Sequence, residues 1–443
     1  MKMKKSLLAM MALGSVAGVA RADIPVITTD TGSIQVYGVA DAMVGNQQHS
    51  YNLDSQFPGS AVPVGAYKIA APAAGSQAAG SVTGLMNGGI SPSRFGIKGD
   101  MDAGEGIKAF FVFESGINIT TGRLSSAGGC LADNSGPGGQ RSDCANSSIN
   151  GQLFSRQAFV GLSDDKLGSL ALGRNYAPMF DIVSVYDPVQ NAQLFSPLGF
   201  SGTFGGGGGI SEDTRVDGSL KYSNKIGAFN FGGLYKFGGM ASDYSAQSGY
   251  ALNGGYDAGR FGVQAAYEAY KDGMKGVIQT VTNNAVGVQV NDTKAYMIAA
   301  KYKITDAATA KIGYESYTIG APSNAASFNT TAITGFYGYN VASVTANANF
   351  ADSKTNIVWI GGDYNFTQKF NLSAGLYDIN ALQSNSQTSG KQVYWSLLAD
   401  YHLTKSLDTY AGLMHASFSG SAYPAATFYT ANQIFGIGAR FKF

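Results

Sequence analysis

Charged residues are scarce in this chain of 443 residues. They make up 13% of the sequence, about half the usual ~25% of a globular domain, while hydrophobic residues make up 44%. Four of the 30 basic residues lie within the first 21 positions, so the rest of the chain carries 26 basic against 29 acidic residues, a net charge of −3. Because nucleic-acid-binding domains usually carry a basic excess, we expect no nucleic acid partner.

Long hydrophobic runs are also lacking beyond the N-terminus. No later stretch approaches the roughly 18 consecutive apolar residues of a membrane helix. The chain begins with three lysines among its first five residues, followed by an apolar run over about 7–17 and a small-residue site that ends at Ala22. This is the pattern of a secretory signal peptide. We therefore expect residues 1–22 to be a signal peptide and residues 23–443 to form a single domain.

Cysteine and histidine, on which many catalytic and metal sites depend, are rare as well. The two cysteines, Cys130 and Cys144, lie in one polar stretch rich in Gly, Ser and Asn. An exported chain meets an oxidising compartment, which favours a disulfide between them. The alternative, a metal pair, lacks nearby histidines or further cysteines. Three histidines, with no HExxH motif and no convincing nucleophile elbow, do not favour an enzyme. We expect no cofactor and no metal.

Glycine and aromatic residues are abundant instead, with 60 Gly, 25 Tyr and 25 Phe. The stretch 432–443, NQIFGIGARFKF, shows how they are arranged. Phe435, Ile437 and Phe441 fall on one parity, and Arg440 and Lys442 fall on the other. Alternate side chains of a strand point to opposite faces. The apolar face would point inward in a soluble sandwich, but it would face lipid in a membrane barrel with a wet lumen.

The connections between such alternating segments distinguish the two architectures. Seven connections are very short and eight are longer, in strict alternation. Short turns at one end and long loops at the other are typical of outer-membrane barrels, and only closure satisfies every backbone polar group in lipid. We predict an all-β fold, a 16-stranded antiparallel transmembrane β-barrel, with strands at 33–46, 93–100, 106–118, 153–163, 168–175, 214–224, 228–238, 249–257, 260–271, 294–304, 308–319, 355–366, 370–380, 392–403, 407–418 and 432–443.

Four segments carry a further signal: YGVADAMV near the first strand, SRFGIKGDMDAGEGIKAFFVFESG, LFSRQAFVGLSDDKLGSLALGRNYAP, and the terminal GARFKF. In this order they resemble the Gram-negative general-diffusion porins, in particular the neisserial and beta-proteobacterial branch. They cover both ends and the first third of the chain, while the middle matches mainly in the order of strands and loops. The resemblance implies a trimer of barrels in the outer membrane. It also implies that the third outer loop, here 176–213, folds inward and narrows the lumen.

The resemblance implies how this constriction is built, with basic residues of the wall facing acidic residues of the loop. The matching residues are Arg94, Arg156 and Arg215 on the wall, and Asp181, Asp187, Glu212 and Asp213 on the loop. Arg94 lies on the polar parity of its strand. Arg156 instead shares a parity with Val160 and Leu162, which a bulge or a subunit contact would explain. The resemblance assigns Arg174 to the trimer contact. The simpler alternative for each residue is a solvated lumen charge.

Further charged residues share the parity opposite to the aromatic face of their strands. These residues are expected to line the lumen: Lys98, Lys301, Lys311, Glu315, Asp363, Asp400 and Arg440. Opposed cations and carboxylates between walls of low dielectric create a transverse field, and the balance of charge sets the ion preference. We expect the wall arginines to outweigh the acids at the neck and to give a weak preference for anions.

These features predict an outer-membrane channel for the passive diffusion of small hydrophilic solutes and ions. Expected partners are two further copies in a homotrimer, outer-membrane lipid and lipopolysaccharide, and the barrel-insertion machinery, which would recognise the C-terminal Phe443. An outer-membrane barrel enzyme, a lipase or protease, is the alternative. A β-rich surface adhesin is a further alternative, although no short repeat of fixed period supports it.

Overall fold

A computed structural model describes residues 24–50, 80–120, 122–124, 153–200, 214–277, 285–331, 333–336, 339–383, 388–421 and 430–443. The predicted signal peptide, both cysteines, and the loop acids Glu212 and Asp213 lie outside these residues.

The described chain is almost entirely β-structure. It contains strands β1 (Ile24–Thr28), β2 (Gly32–Ser50), β3 (Gly80–Asn87), β4 (Arg94–Gly104), β5 (Ile107–Asn118), β6 (Arg123–Leu124), β7 (Gln157–Asp164), β8 (Gly168–Tyr176), β9 (Arg215–Ile226), β10 (Phe229–Lys236), β11 (Gly249–Asp257), β12 (Phe261–Val277), β13 (Ala285–Lys303), β14 (Ala308–Gly320), β15 (Gly335–Phe336), β16 (Tyr339–Thr345), β17 (Ser353–Asn365), β18 (Phe370–Gln383), β19 (Thr388–His402), β20 (Leu407–Ser419) and β21 (Ala431–Lys442). One α-helix, α1 (Pro178–Tyr186), and short 3-10 turns at Pro197–Phe200 and Ala325–Ser327 complete it. No helix within the described ranges is long and apolar enough to span a membrane.

Sixteen of the described strands form one closed antiparallel ring. The ring runs β2, β4, β5, β7, β8, β9, β10, β11, β12, β13, β14, β17, β18, β19, β20 and β21. It closes where β21 pairs with β2, from Val39 opposite Lys442 to Gln47 opposite Ile434. Each predicted strand overlaps one strand of the ring, so the predicted 16-stranded barrel is confirmed.

Some strands are longer than predicted, because polar residues end the apolar pattern without ending the hydrogen-bonded ladder. β2 continues to Ser50 and pairs with β3, which lies between the first two predicted strands, 33–46 and 93–100, where no strand was predicted. β3 and β4 follow one another along the same edge of β2. β12 and β13 also extend beyond their predicted ends, to Val277 and back to Ala285.

The outer surface of the barrel is apolar. On β21, Phe435, Ile437 and Phe441 are 47%, 59% and 48% exposed. Aromatic residues of the other strands share this outward face: Phe229, Phe231, Tyr235, Tyr250, Tyr267, Tyr296, Tyr302, Tyr364, Trp395 and Tyr401. Such a band of exposed apolar side chains is the surface that a barrel presents to lipid. The apolar faces of the strands therefore point outward, as predicted for a membrane barrel, and not inward as in a soluble sandwich.

Three of the short turns are built in the same way, around a threonine. The hydroxyl oxygens of Thr305, Thr367 and Thr404 each accept hydrogen bonds from the backbone N–H groups two and three residues later, at 3.0–3.2 Å. A hydroxyl in this position replaces a backbone acceptor and holds the turn closed. The short connections predicted from the sequence therefore have a local chemical cause.

The inward-folding segment begins at helix α1, which Pro178 opens with its fixed backbone angle. Met179 and Val183 of α1 are fully buried inside the ring. The segment packs against an apolar arc of the lumen wall formed by Met297, Ile357, Trp359, Tyr377, Ile379, Tyr394, Leu398 and Met414. The Trp359 indole Nε1–H donates to the carbonyl of Tyr186 at 3.1 Å. One side of the lumen is therefore filled by the loop.

The chain offers a direct test of this inside-out arrangement, because its only two tryptophans lie on opposite faces of the wall. Trp359 is fully buried inside the barrel, whereas Trp395 is 42% exposed on the outside. We expect brominated acyl chains to quench the fluorescence of the Trp359→Phe variant, which keeps Trp395, strongly. The matched Trp395→Phe variant should be quenched weakly. Equal quenching of the two variants would contradict the assignment of faces.

Candidate functional site

A cluster of arginines surrounds one carboxylate, that of Glu114 on β5. Arg156 donates from Nε to Glu114 Oε1 at 2.7 Å, and Arg94 Nε lies 3.5 Å from Oε2. The Tyr37 hydroxyl donates to Oε2 at 3.0 Å. All of these side chains are buried against the lumen wall. Within the described ranges, Arg94 and Arg156 thus share one buried carboxylate.

Aromatic rings extend this arginine cluster along the wall. Arg156 donates from an Nη atom to the Tyr176 hydroxyl at 2.7 Å. The Arg215 guanidinium lies 5.5 Å from the centre of the Tyr176 ring, and Lys98 Nζ lies 5.3 Å from the centre of the Tyr37 ring. Both distances fit cation–π contacts. The structure thus brings the predicted Arg94, Arg156 and Arg215 into one region of the wall.

Arg156 reaches the lumen although its parity suggested otherwise. β7 begins at Gln157, so Arg156 precedes the strand and is not bound by its alternation. Its backbone N–H donates to the Glu114 carbonyl at 3.0 Å, and its side chain turns to the Glu114 carboxylate. Ala158, Val160 and Leu162 follow the strand and face outward or lie partly exposed.

A second charged cluster lies on β19, β20 and β21. Arg440 lies 2.6 Å from the Asp408 carboxylate and 3.4 Å from that of Asp400. Lys442 Nζ and His402 Nδ1 also contact Asp408, at 2.6 and 2.7 Å. The oxygen and nitrogen atoms of Asp400, His402 and Asp408 lie within 4.8 Å of one another, close enough for a metal. Because Arg440 and Lys442 already neutralise the two carboxylates, this cluster is balanced without an ion.

The loop acids are held by the wall residues beneath them. Asp181 pairs with Lys221 of β9 at 2.5 Å. The Tyr377 hydroxyl donates to Asp187 Oδ1 at 2.6 Å, and the Asn191 N–H donates to Oδ2 at 2.6 Å. Burial raises the pKa of the Asp187 carboxyl above its usual value. Asp187 is fully buried and does not line the cavity between the loop and the charged clusters. Its contacts therefore anchor the loop to the wall.

The remaining predicted lumen residues lie on the inner face of the ring. Lys311 Nζ donates to the Asp187 carbonyl at 2.9 Å and lies 3.8 Å from Asp363. Lys301 pairs with Asp257 at 2.7 Å. Glu315 of β14 is fully buried. These contacts place the charges between the wall and the loop.

An open cavity of about 190 Å³ lies between the loop and the two charged clusters. Its charged and histidine lining consists of Arg94, Arg156, Arg440, Asp400 and His402. Uncharged polar and aromatic groups complete it, including Ser91, Tyr176, Ser184, Gln190, Asn191, Gln193, Asn371 and Ser373. Phe180, Val189 and Leu398 supply an apolar margin. A cavity with this lining suits hydrated polar solutes.

Sequence reasoning missed several residues of the site. Glu114 shares its strand face with Phe110 and Val112, which hid its position on the lumen side. Lys221 and Asp408 are charged residues within alternating strands. The other lumen residues were predicted from the same signal, so these two could have been found as well. Asp41 is a buried acid between two alanines of β2, a signal that alternation alone does not interpret.

Arg174 lies away from the cavity. It shares the parity of Leu170 and Leu172, which are exposed on the outer face. It donates to the Ser155 carbonyl at 2.7 Å and pairs with Asp217 at 2.5 Å. The Asp217 side chain is 40% exposed.

Comparison with known proteins agrees with this architecture. A family model for Gram-negative porins matches residues 7–421. The chain belongs to this family. Its place is therefore the outer membrane, as predicted, and the resemblance found in the sequence is confirmed.

Individual relatives extend the comparison. The porin is 31% identical over 173 residues to an outer membrane porin protein of Bordetella pertussis, a match that covers 39% of this chain and only 33% of that protein. The anion-selective porin from Comamonas acidovorans has the same fold, with a TM-score of 0.59 and 18% identity over 93% of this chain and all of the other. The trimer form of in-vitro folded OmpT of Vibrio cholerae has a TM-score of 0.52 and 13% identity over 94% and 100% of the two chains.

The Glu114 contacts predict a large loss of stability for Glu114→Gln. Removing one partner of a buried charge cluster leaves the other charges uncompensated, and typically costs about 3–5 kcal/mol. We expect a decrease of this size in the free energy of unfolding, measured by urea titration in lipid vesicles. The matched control is Asp378→Asn, whose pair with Lys391 at 2.7 Å is exposed and should contribute about 0–1 kcal/mol. Equal losses for the two variants would contradict the central role of Glu114.

Proposed function

We propose that this porin is a water-filled channel through which small hydrophilic solutes and ions diffuse passively. The observation that carries the proposal is the polar cavity inside a closed ring of strands whose outer surface is apolar. The ring excludes lipid, the loop narrows the passage, and the charges leave the narrowed part hydrated. No tight binding is required, because a polar lining lowers the barrier for hydrated solutes as a class.

The channel is proposed to prefer anions weakly. Among the residues that the structure describes, Arg94 and Arg156 share the Glu114 carboxylate and Arg215 lies over the Tyr176 ring, so we expect this part of the wall to be positive. The second cluster adds no net charge, because Arg440 and Lys442 offset Asp400 and Asp408. The loop acids Asp181 and Asp187 are paired or buried beneath the loop. The positive wall therefore decides the sign of the local potential.

The proposed assembly is a homotrimer. Arg174 and its partner Asp217 lie where the exposed leucines of β8 face outward, and we assign this surface to the subunit contact. The OmpT structure mentioned above is described as a trimer form. The outward apolar band is proposed to contact outer-membrane lipid and lipopolysaccharide.

The C-terminal strand is proposed to be the part that the insertion machinery recognises. Phe443 exchanges backbone hydrogen bonds with Gly38 at 2.8 and 3.1 Å, and its ring stacks on that of Phe441 at 5.9 Å. An aromatic side chain at the rim of a barrel is typical of the membrane interface.

The channel proposal is favoured over an outer-membrane lipase or protease. His402 binds Asp408 within the charge-balanced cluster, and His415 stacks on the outward Trp395 at 5.7 Å. These contacts give both histidines structural partners.

Planar-bilayer recording tests the channel and its ion preference together. We expect stepwise conductance and a reversal potential in a KCl gradient that shows anion preference. In Arg94→Gln, Glu114 keeps Arg156 and the cavity loses one positive charge, so the chloride-to-potassium permeability ratio should fall by about twofold. The matched control Lys405→Gln removes a cation from an exposed turn and should leave the ratio unchanged. A wild-type channel that prefers potassium would contradict the proposed anion preference, and an absence of conductance would contradict the channel itself.

The processing of the chain is a further prediction. We propose that the signal peptide 1–22 is removed and that Cys130 and Cys144 form a disulfide. The intact mass of the protein extracted from outer membranes should correspond to residues 23–443 less two hydrogens, and reduction should restore the two mass units. A chain that retains residues 1–22, or that reacts with a thiol reagent before reduction, would contradict the respective part.

A further inference from the structure

Residues 88–93, here called the ledge, leave the barrel wall and enter the lumen. β2 pairs with β4 as far as Val39 opposite Arg94, and with β3 from Ala42 opposite Asn87. Residues 88–93 join β3 to β4, and backbone bonds to the strands remain at their ends, from Gly88 N–H to the Asp41 carbonyl at 2.8 Å and from Ile117 N–H to the Ser93 carbonyl at 2.9 Å. The positive φ of 74° at Gly88 turns the chain out of the sheet.

One buried carboxylate, Asp41 of β2, holds the ledge. Its Oδ1 accepts the backbone N–H of Gly89 at 2.9 Å, and its Oδ2 accepts those of Ile90 and Ser91 at 3.2 and 2.8 Å. The Tyr410 hydroxyl of β20 donates to the same carboxylate. Asp41 is fully buried, so all four donors are directed at an anion without contact to solvent. Successive backbone N–H groups around one anion form a strong and geometrically specific contact.

The ledge in turn holds both arginines that flank it. Arg440 donates from Nη1 to Ser91 Oγ at 2.8 Å. Arg94 donates from Nη1 to the Pro92 carbonyl at 3.0 Å. Both arginines line the cavity. Their carboxylate partners, Asp408 and Glu114, hold them from the wall side, and the ledge holds them from the other.

The tip of the inward-folding loop is attached to the same ledge. Leu194 N–H donates to the Gly89 carbonyl at 2.9 Å, and Gln193 N–H donates to the Ile90 carbonyl at 3.4 Å. These bonds join loop and wall by backbone atoms, so they depend on the position of the ledge and not on particular loop side chains.

We propose that Asp41 is a positioning residue for transport. Through the ledge it sets the positions of Arg94, Arg440 and the loop tip, and hence the width and ion preference of the channel. Asp41 does not touch the solute, because it lies behind the ledge and outside the cavity lining. The inference rests on the proposed channel function and adds to it the residue that positions the constriction.

The test is the Asp41→Asn variant in planar bilayers. The substituted amide replaces one acceptor oxygen by an NH₂ group that faces backbone donors, so the ledge loses part of its attachment. Arg94 and Arg440 then lose their fixed contacts with Pro92 and Ser91 and are held only from the wall side by Glu114 and Asp408, which draws their charges away from the cavity. Loss of the carboxylate charge by itself would raise the chloride-to-potassium permeability ratio. We expect the ratio instead to fall by about twofold, because the arginines are displaced, with increased open-channel noise as the loop tip is released.

Two controls separate positioning from general damage. Asp306→Asn makes the same chemical change in an exposed turn and should leave permeability ratio and noise at wild-type values. The Asp41→Asn barrel should keep its heat-modifiable migration on gels, so that a change of ion preference is not a consequence of unfolding.

If Asp41→Asn does not fold, two milder variants test whether Asp41 positions the constriction. Tyr410→Phe removes one donor to Asp41, and Ser91→Ala removes the contact of the ledge with Arg440. Both should lower the permeability ratio less than Asp41→Asn would. A folded Asp41→Asn channel with wild-type permeability ratio and noise overturns the proposal, and so does a wild-type ratio in both milder variants. Wild-type protein that fails to conduct would instead overturn the channel function.

Discussion

The structure depends on one constraint, that backbone N–H and C=O groups facing lipid must find their partners within the sheet. The bilayer supplies no water to solvate them, so an open edge is costly and the strands must close on themselves. The pairing of β21 with β2 meets this requirement. Everything else follows from closure: a face toward lipid on which aromatic residues are favourable, and an interior too wide for sixteen strands to fill with their own side chains.

The interior is not uniform. Along β13 to β20 the wall presents large apolar groups, among them Trp359, Tyr377 and Met414, and the inward-folding loop covers them. Along β4 to β9 the wall carries the arginine cluster around Glu114. The hydrophobic contact holds the loop against one arc, and the charges keep the other arc hydrated. The distribution of apolar and charged residues around the wall therefore determines both where the loop packs and where the passage lies.

Alternation in the sequence was sufficient to predict the sixteen strands, because lipid favours apolar side chains on the outer face, as Phe435 and Ile437 show on β21. The inner face obeys no such rule. Trp359 and Tyr394 are aromatic and yet point inward, because the loop supplies them with an apolar neighbour. Glu114, Tyr37 and Tyr176 become one site only when β2, β5 and β8 are placed around the ring. Arg156 does not follow the alternation of β7, because β7 starts one residue later, at Gln157. Contacts between distant segments, not local pattern, determine these positions.

The ledge gives the order of assembly a functional meaning. Its supports come from both ends of the chain: Asp41 from the first strand of the ring, Tyr410 and Arg440 from the last two. Until the C-terminal strands dock, Asp41 lacks the tyrosine and Ser91 lacks the arginine, so the supports of the ledge are completed by the same strands that close the barrel. The constriction is thus completed in the same step of biogenesis that closes the membrane-spanning wall.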